Sequence, residues 1–253
     1  MTLEQLIPGD AFALLLVFAR IAAAMMLLPG FGEIYVMPRT RLLLAIAITV
    51  VLTPLVVAGL PKLPATPIEL FLVLGGEIVV GIFLGTIVRI LVAALHVAGT
   101  IVGLTSSLSA ANIFDPQNAA QGSLVGTFLG VTAIVMVFVA DLHHPMLNAL
   151  AESYTLFVPG RALPWGDFSD LMTRTVAHAF ALGVQISAPF LVVALVFYLG
   201  LGLINRLMPQ VQVFFIAMPL QIGLAFFIMA LTISAAMLWF LSDFQGRIDG
   251  LLT

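Results

Sequence analysis

Titratable side chains placed inside apolar runs are the residues of this sequence with the clearest chemical consequences. Arg20, Glu77 and Arg89 each interrupt a long stretch of apolar residues. Insertion scales put one such charge at a bilayer centre at about 2.5–3.5 kcal/mol, so three unpaired charges would cost on the order of 10 kcal/mol. That sum is comparable to the whole net stability of a domain. The three side chains must therefore pair, contact protein or face water.

Proton transfer is the first chemistry that such groups could serve. Arg89 and His96 are seven residues apart, which places them on nearly the same helix face, and Glu69 and Glu77 lie within about 80° of one another. A proton-coupled transporter needs intramembrane groups of this kind. A structural role as ion pairs is favoured, because no second acidic residue lies deep in another apolar block. A stand-alone transporter that uses Glu77, Arg89 and His96 remains the alternative.

Metal binding and nucleophilic catalysis have weaker support. Asp141, His143 and His144 form a cluster, but adjacent histidines on a helix point about 100° apart and no further ligand lies nearby in the sequence. The cluster is interpreted as a polar helix end at a membrane surface. His178 and Ser187 could suggest a hydrolase, yet no G-x-S-x-G frame surrounds a serine. We therefore predict no catalytic, cofactor-binding or metal-binding residues and no enzymatic activity.

The composition indicates a membrane protein. Of the 253 residues 62% are hydrophobic and 8% charged, more apolar material than a globular core needs. The net charge of −3 provides no basic face for nucleic acid. The absence of cysteine excludes disulfides and thiol chemistry. Arg20 breaks the first apolar stretch, which argues against a cleaved signal peptide.

Hydropathy predicts six helical blocks in a single membrane-embedded domain that spans residues 1–253, with an N-terminal part at 1–140 and a C-terminal part at 141–253. A polar interval at 141–173 separates the last two blocks from the others. Three blocks are each closer to 30 residues or more than to the roughly 20 that a straight crossing needs. Strong tilt, breaks, hairpins or extension beyond the lipid would explain the excess, and Pro189 and Pro219 favour kinks. The blocks cover 11–28, 42–60, 68–104, 124–140, 176–203 and 211–241.

Glycines at helical spacing predict close helix packing, because small residues let backbones approach where lipid offers no hydrophobic drive. The pattern does not say whether the neighbouring helix belongs to the same chain. The sets are Gly81 with Gly85, Gly99 with Gly103, and Gly122, Gly126 and Gly130.

A polar stretch from Thr105 to Pro116 follows the third block. It carries hydroxyl and amide side chains and ends at Asp115-Pro116, which favours a turn. Polar non-helical backbone beside membrane segments is tolerated in water, within protein or lining an aqueous cavity. The stretch is therefore either a connecting loop or a loop folded into a pore.

Three segments in order resemble the FliR family of flagellar export-gate proteins and its SctT-like injectisome counterparts. Around Arg20 and after it stand Phe18-Ala19-Arg20-Ile21, Pro29, Phe31, Gly32, Pro38 and Arg41. The middle carries Ala98, Gly99, Gly103, Leu108, Ser109, Ala111, Asp115 and Pro116. The C-terminal part carries Asn205-Arg206, Pro209-Gln210, Val213-Phe214 and Met218-Pro219-Leu220. The sequence departs from the family pattern at Thr105, Ser107, Leu142, Gln212 and Ala217.

The resemblance implies an all-α integral membrane subunit with long bent helices and hairpins, which assembles with FliP-like and FliQ-like subunits into a spiral pore. That pore would belong to a type III secretion system in the bacterial inner membrane, at the flagellar basal body. It would pass unfolded secreted proteins, and the large export-gate and switch-type export proteins would be further partners.

On this resemblance we predict two groups of functional residues. A plug or gate loop would close the channel at rest and limit ion leak; it comprises Thr105, Ser106, Ser107, Leu108, Ser109, Asp115 and Pro116. Buried charges and assembly contacts would comprise Arg20, Glu77, Arg89, Arg206, Pro209, Gln210, Phe214 and Pro219. A third possibility, a purely structural assembly factor, predicts that shortening the loop leaves ion leak unchanged.

Overall fold

All regular structure in the described part of the chain is helical. The computed structural model describes residues 9–110, 123–208 and 213–250. The helices are α1 Gly9–Met25, α2 Pro38–Val56, α3 Pro67–Thr105, α4 Leu124–Val139, α5 His143–Leu156, α6 Trp165–Leu207 and α7 Val213–Gly250. Short 3-10 turns at Val57–Gly59 and Leu108–Ala110 follow α2 and α3. The predicted all-α membrane fold is confirmed.

Four of the described helices are long and apolar enough to cross a membrane, and α4 with α5 would add a fifth if the pair formed one broken span. Helices α3, α6 and α7 contain 39, 43 and 38 residues. At 1.5 Å per residue they are about 57–65 Å long, roughly twice the hydrocarbon thickness. Pro189 and Pro219 lie inside α6 and α7. The over-long blocks are therefore continuous helices that must tilt or extend beyond the lipid.

Helix α5 lies inside the interval that hydropathy marked as polar. Its buried residues Met146, Leu150, Ser153 and Tyr154 are spaced so that they share one face. A hydropathy window averages over the turn and does not detect an apolar stripe on a mostly polar helix. This spacing was the available sequence signal for α5.

The chain forms two compact units, each built from several segments. The described residues of the first unit are 9–91, 138–175 and 245–250, and the remaining described residues form the second. Helices α3, α6 and α7 contribute to both units. The prediction of one domain divided at residue 140 stays a prediction.

In the first unit, α1 packs closely against α3 through glycine. A Cβ at Gly81 would overlap the carbonyl oxygen of Arg20, and a Cβ at Gly85 would lie 2.8 Å from that of Ala24. The turn that follows α1 also needs a glycine, because Gly30 has φ +83° and the Phe138 ring occupies the place of a side chain.

In the second unit, glycines bring α4 and α6 against α3. A Cβ at Gly99 would overlap the backbone of Gly126, and a Cβ at Gly183 would lie 2.7 Å from the carbonyl oxygen of Ala94. The glycine prediction is therefore confirmed at Gly81, Gly85, Gly99 and Gly126, with neighbours from the same chain. Gly122 lies outside the described residues.

Candidate functional site

Arg20 and Glu77 form a buried ion pair between α1 and α3 in the first unit. Arg20 is 0% and Glu77 2% exposed. Arg20 Nε donates to Glu77 Oε2 at 2.6 Å, and Arg20 Nη2 donates to Glu77 Oε1 at 3.0 Å. This bidentate geometry is the strongest form of an arginine–carboxylate contact. The predicted burial of both charges is thus observed, and each is the other's partner.

Helix α5 and the residue that follows it accept further hydrogen bonds from the guanidinium. Arg20 Nη1 donates to Ser153 Oγ at 3.0 Å, and Nη2 also donates to the carbonyl oxygen of Phe157 at 2.8 Å. The guanidinium carbon lies 4.0 Å from the centre of the Tyr154 ring, a cation–π contact. The pair therefore joins α1, α3 and α5, and sequence reasoning found neither Ser153 nor Tyr154 because it missed α5.

A cleft of about 440 Å³ lies over this ion pair. Its walls come from Gly76 and Val80 of α3 and from the segment after α5, including Arg161 and Pro164. Arg20 and Glu77 are among its lining residues, although both are buried. The rest of the lining is partly polar and partly apolar.

The transporter triad is not assembled in this chain. Glu77 is held by Arg20, and Arg89 lies 12 residues further along α3, about 18 Å at helical rise. Arg89, His96 and Arg206 are exposed. Among the described residues Arg89 and Arg206 make no hydrogen bond or ion pair. Their pairing with other subunits stays a prediction.

His178 and Ser187 do not form the catalytic pair that a hydrolase would need. His178 Nε2 lies 2.8 Å from Asp243 Oδ2, so the histidine joins α6 to α7 in the second unit. Ser187 Oγ instead donates to the carbonyl oxygen of Val184 at 2.9 Å. The spacing of nine residues from His178 to Ser187 places the two side chains on opposite faces of α6.

The Asp141, His143 and His144 cluster is tighter than the sequence argument indicated. One ligand atom from each residue lies within 4.8 Å of the others, and the two imidazole rings are 4.1 Å apart. The two adjacent histidines therefore do not point apart at this position, contrary to the prediction. Asp141 and His144 are exposed, and His143 packs on the Phe138 ring. The interpretation as a polar helix end stays a prediction.

The described part of the predicted gate loop is anchored within the second unit. Thr105 ends α3, Ser106 is buried, and Ser107 has φ +60°. Leu108 and Ser109 form the following 3-10 turn and are partly exposed.

Gln221 of α7 holds the start of this loop. Its Nε2 donates to the carbonyl oxygen of Thr105 and, at 3.0 Å, to the hydroxyl of Tyr198 on α6. Its Oε1 accepts a hydrogen bond of 2.8 Å from Ser107 Oγ. Sequence reasoning missed Gln221 and Tyr198, although an amide inside an apolar run was a signal of the same kind as Arg20.

For the other predicted residues the structure gives only a position, or they lie outside the described residues. Pro219 lies inside α7 and is exposed, and Phe214 lies in the first turn of the same helix. Asp115, Pro116, Pro209 and Gln210 lie outside the described residues. Their predicted roles stay predictions.

The chain matches one protein family over almost its whole length. The family is described as bacterial export proteins, family 1, and the match covers residues 11–246. The matched region includes the ion pair, the described loop segment and Gln221.

Curated relatives agree with this match. The chain is 38% identical over 232 residues to the flagellar biosynthetic protein FliR of Caulobacter vibrioides, covering 88% of this chain and 90% of that protein. It is 30% identical to FliR of Bacillus subtilis, covering 88% and 86%. It is also 29% identical over 174 residues to Yop proteins translocation protein T of Yersinia pestis, covering 67% and 66%. The chain therefore belongs to the FliR family of bacterial export proteins.

Proposed function

We propose that this chain is a membrane subunit of a type III protein-export gate. With FliP-like and FliQ-like subunits it forms the channel that passes unfolded flagellar proteins across the bacterial inner membrane. The observation that carries the proposal is the match to FliR of Caulobacter vibrioides over 88% of this chain. A flagellar machine is favoured over an injectisome, because FliR of Caulobacter vibrioides and FliR of Bacillus subtilis are matched over 90% and 86% of their length, and the Yersinia protein over 66%.

Surface chemistry supports assembly with other membrane subunits. Helix α2 is apolar, yet Ala45 and Thr49 are its buried residues. Arg89 and Arg206 are exposed charges on helices that are candidate spans. An exposed arginine facing hydrocarbon is costly, so contact with neighbouring polypeptide or with water inside an assembly would stabilise it.

The role of this subunit would be structural and gating, without catalysis. The loop that begins at Thr105 restricts ion leak until unfolded substrate displaces it. Anchoring of the loop base by Gln221 supports this part of the proposal, because a plug must be held in a defined position when the channel is at rest.

Gentle extraction from membranes tests the proposed assembly. We expect an affinity-tagged chain to co-purify with two smaller membrane subunits, and we expect mass measurement of the intact particle to give a complex much heavier than 26.9 kDa. A chain that purifies alone and drives solute uptake in proteoliposomes would instead support the transporter alternative.

Shortening the loop tests the gating role. Removal of residues 110–116 should raise the ion conductance of cells that carry the assembled complex, since the plug would no longer fill the channel. A matched deletion of residues 62–65, in the connection before α3, should leave conductance unchanged. Equal conductance in the two strains, with both complexes assembled, would favour the purely structural assembly factor.

A further inference from the structure

Gln221 is a buried amide within an apolar segment of α7, and it is 5% exposed. A buried amide destabilises the fold unless its donors and acceptor are hydrogen-bonded. Here the oxygen and the nitrogen are both used, and all of the bonds reach other elements of the second unit. The amide thus links α7 to α6 and to the end of α3.

The hydrogen bonds of Gln221 reach Thr105 and Ser107, the two residues that determine where the loop begins. The carbonyl of Thr105 is one of the helix-end carbonyls that α3 leaves without an intrahelical partner. Ser107 has φ +60°, a conformation that costs free energy for a residue with a side chain. By bonding both residues, Gln221 caps α3 and stabilises the turn that directs the chain into the loop.

A second set of contacts, with Gly103 of α3, involves a residue on each side of the loop. The hydroxyls of Ser109 and Ser123 each lie 3.0 Å from the position of a Cβ on Gly103, so both residues pack over that glycine. Ser123 Oγ also donates to the carbonyl oxygen of Gly99 at 2.8 Å. The residues on either side of the loop are therefore fixed on α3, while Gln221 ties the start of the loop to α7.

We propose that Gln221 is a positioning residue that holds the described base of the gate loop, from Thr105 to Ser109, in place, with Tyr198 orienting its amide. This inference rests on the proposed export function. Displacement of α7 breaks the amide bonds, and the loop base is then released. Loss of one hydrogen bond of ordinary strength changes an equilibrium roughly fivefold, so loss of two or more changes it on the order of tenfold or higher.

Gln221→Leu removes the amide and keeps an apolar side chain of similar size. We expect ion conductance of the resting complex to rise on the order of tenfold while the complex still assembles. Gln221→Glu keeps an acceptor for Ser107, but it loses both donated bonds and turns a buried carboxylate oxygen toward the carbonyl oxygen of Thr105, so its conductance should be at least as high as that of Gln221→Leu. The matched control is Gln245→Leu, an exposed glutamine on the same helix, which should behave as the unaltered protein.

A reversible cross-link between residues 107 and 221 tests the positioning role directly. If residue 221 served only to stabilise the fold, fixing the loop base to it would change neither conductance nor secretion. The chain contains no cysteine, so Ser107→Cys with Gln221→Cys introduces two unique thiols. Bridging them with a short, reducible bis-thiol reagent should lower conductance and stop protein secretion, and reduction should restore both. Leu108→Cys with Gln245→Cys is the control pair.

The outcomes separate the hypotheses. Unchanged conductance in assembled Gln221→Leu, or continued secretion by the bridged complex, would overturn the positioning role. If Gln221→Leu does not assemble, the bridged complex alone decides. Normal secretion by cells that lack the whole chain would overturn the export function and this inference with it.

Discussion

Arg20→Met should destabilise the folded chain by about 3–5 kcal/mol, because it leaves the Glu77 carboxylate buried without its cation. The loss includes the bonds that the guanidinium donates to Ser153 and to the carbonyl oxygen of Phe157. Denaturant unfolding in detergent, followed by tryptophan fluorescence or circular dichroism, measures the change. Arg20→Lys should also destabilise, since an ammonium group cannot reproduce the bidentate contact.

Two further variants isolate the unpaired charge as the cause. Arg20→Met combined with Glu77→Leu should recover much of the lost stability, because an apolar pair of similar volume often replaces a buried ion pair without cost. Arg89→Met removes an exposed arginine and should change stability by less than about 1 kcal/mol. If the double variant were as unstable as Arg20→Met, the ion pair would not be the source of the effect.

Gly99→Ala should destabilise the second unit by about 1–3 kcal/mol or more, because its methyl group would overlap the backbone of Gly126. Backbone cannot move aside as a side chain can, so α3 and α4 must separate along their contact. The same unfolding measurement in detergent records the loss.

The matched control lies on the same helix. Gly75 has no atom within 4 Å of an added Cβ, so Gly75→Ala should stabilise α3 by about 0.5–1 kcal/mol through helix propensity alone. Gly130→Ala is intermediate, since the methyl would meet the imidazole of His96, which can shift. Equal behaviour of Gly99→Ala and Gly75→Ala would show that close helix approach is not required.

The elements that carry a strong local signal were predictable. Long apolar runs predicted both ends of α1, α2, α3 and α4 to within about four residues, but they placed the start of α6 11 residues too late and the end of α7 nine residues too early. The cost of charge in lipid predicted that Arg20 and Glu77 are sheltered. The pairing of those two was not predictable, because they are 57 residues apart and periodicity carries no information on which helices meet.

Features that depend on a single face or a single side chain were missed. Helix α5 has a low mean apolarity, so its buried stripe escaped a hydropathy scan, and Ser153 was lost with it. Gln221 is visible in the sequence as a polar residue in an apolar run. Its role depends on hydrogen bonds to Thr105 and Ser107, which are more than one hundred residues away. The local sequence pattern identifies a polar residue in an apolar run, but only the three-dimensional structure shows which residue it pairs with.

The span of chain bridged by Arg20 has a consequence for biosynthesis. Glu77 emerges from the ribosome 57 residues after Arg20, and Phe157 emerges 137 residues after it. At about 5–20 residues per second the guanidinium waits on the order of ten seconds for its last acceptor. Helix α1 therefore cannot settle in its final place during its own synthesis; it must remain beside water or the insertion machinery until later helices arrive to receive it.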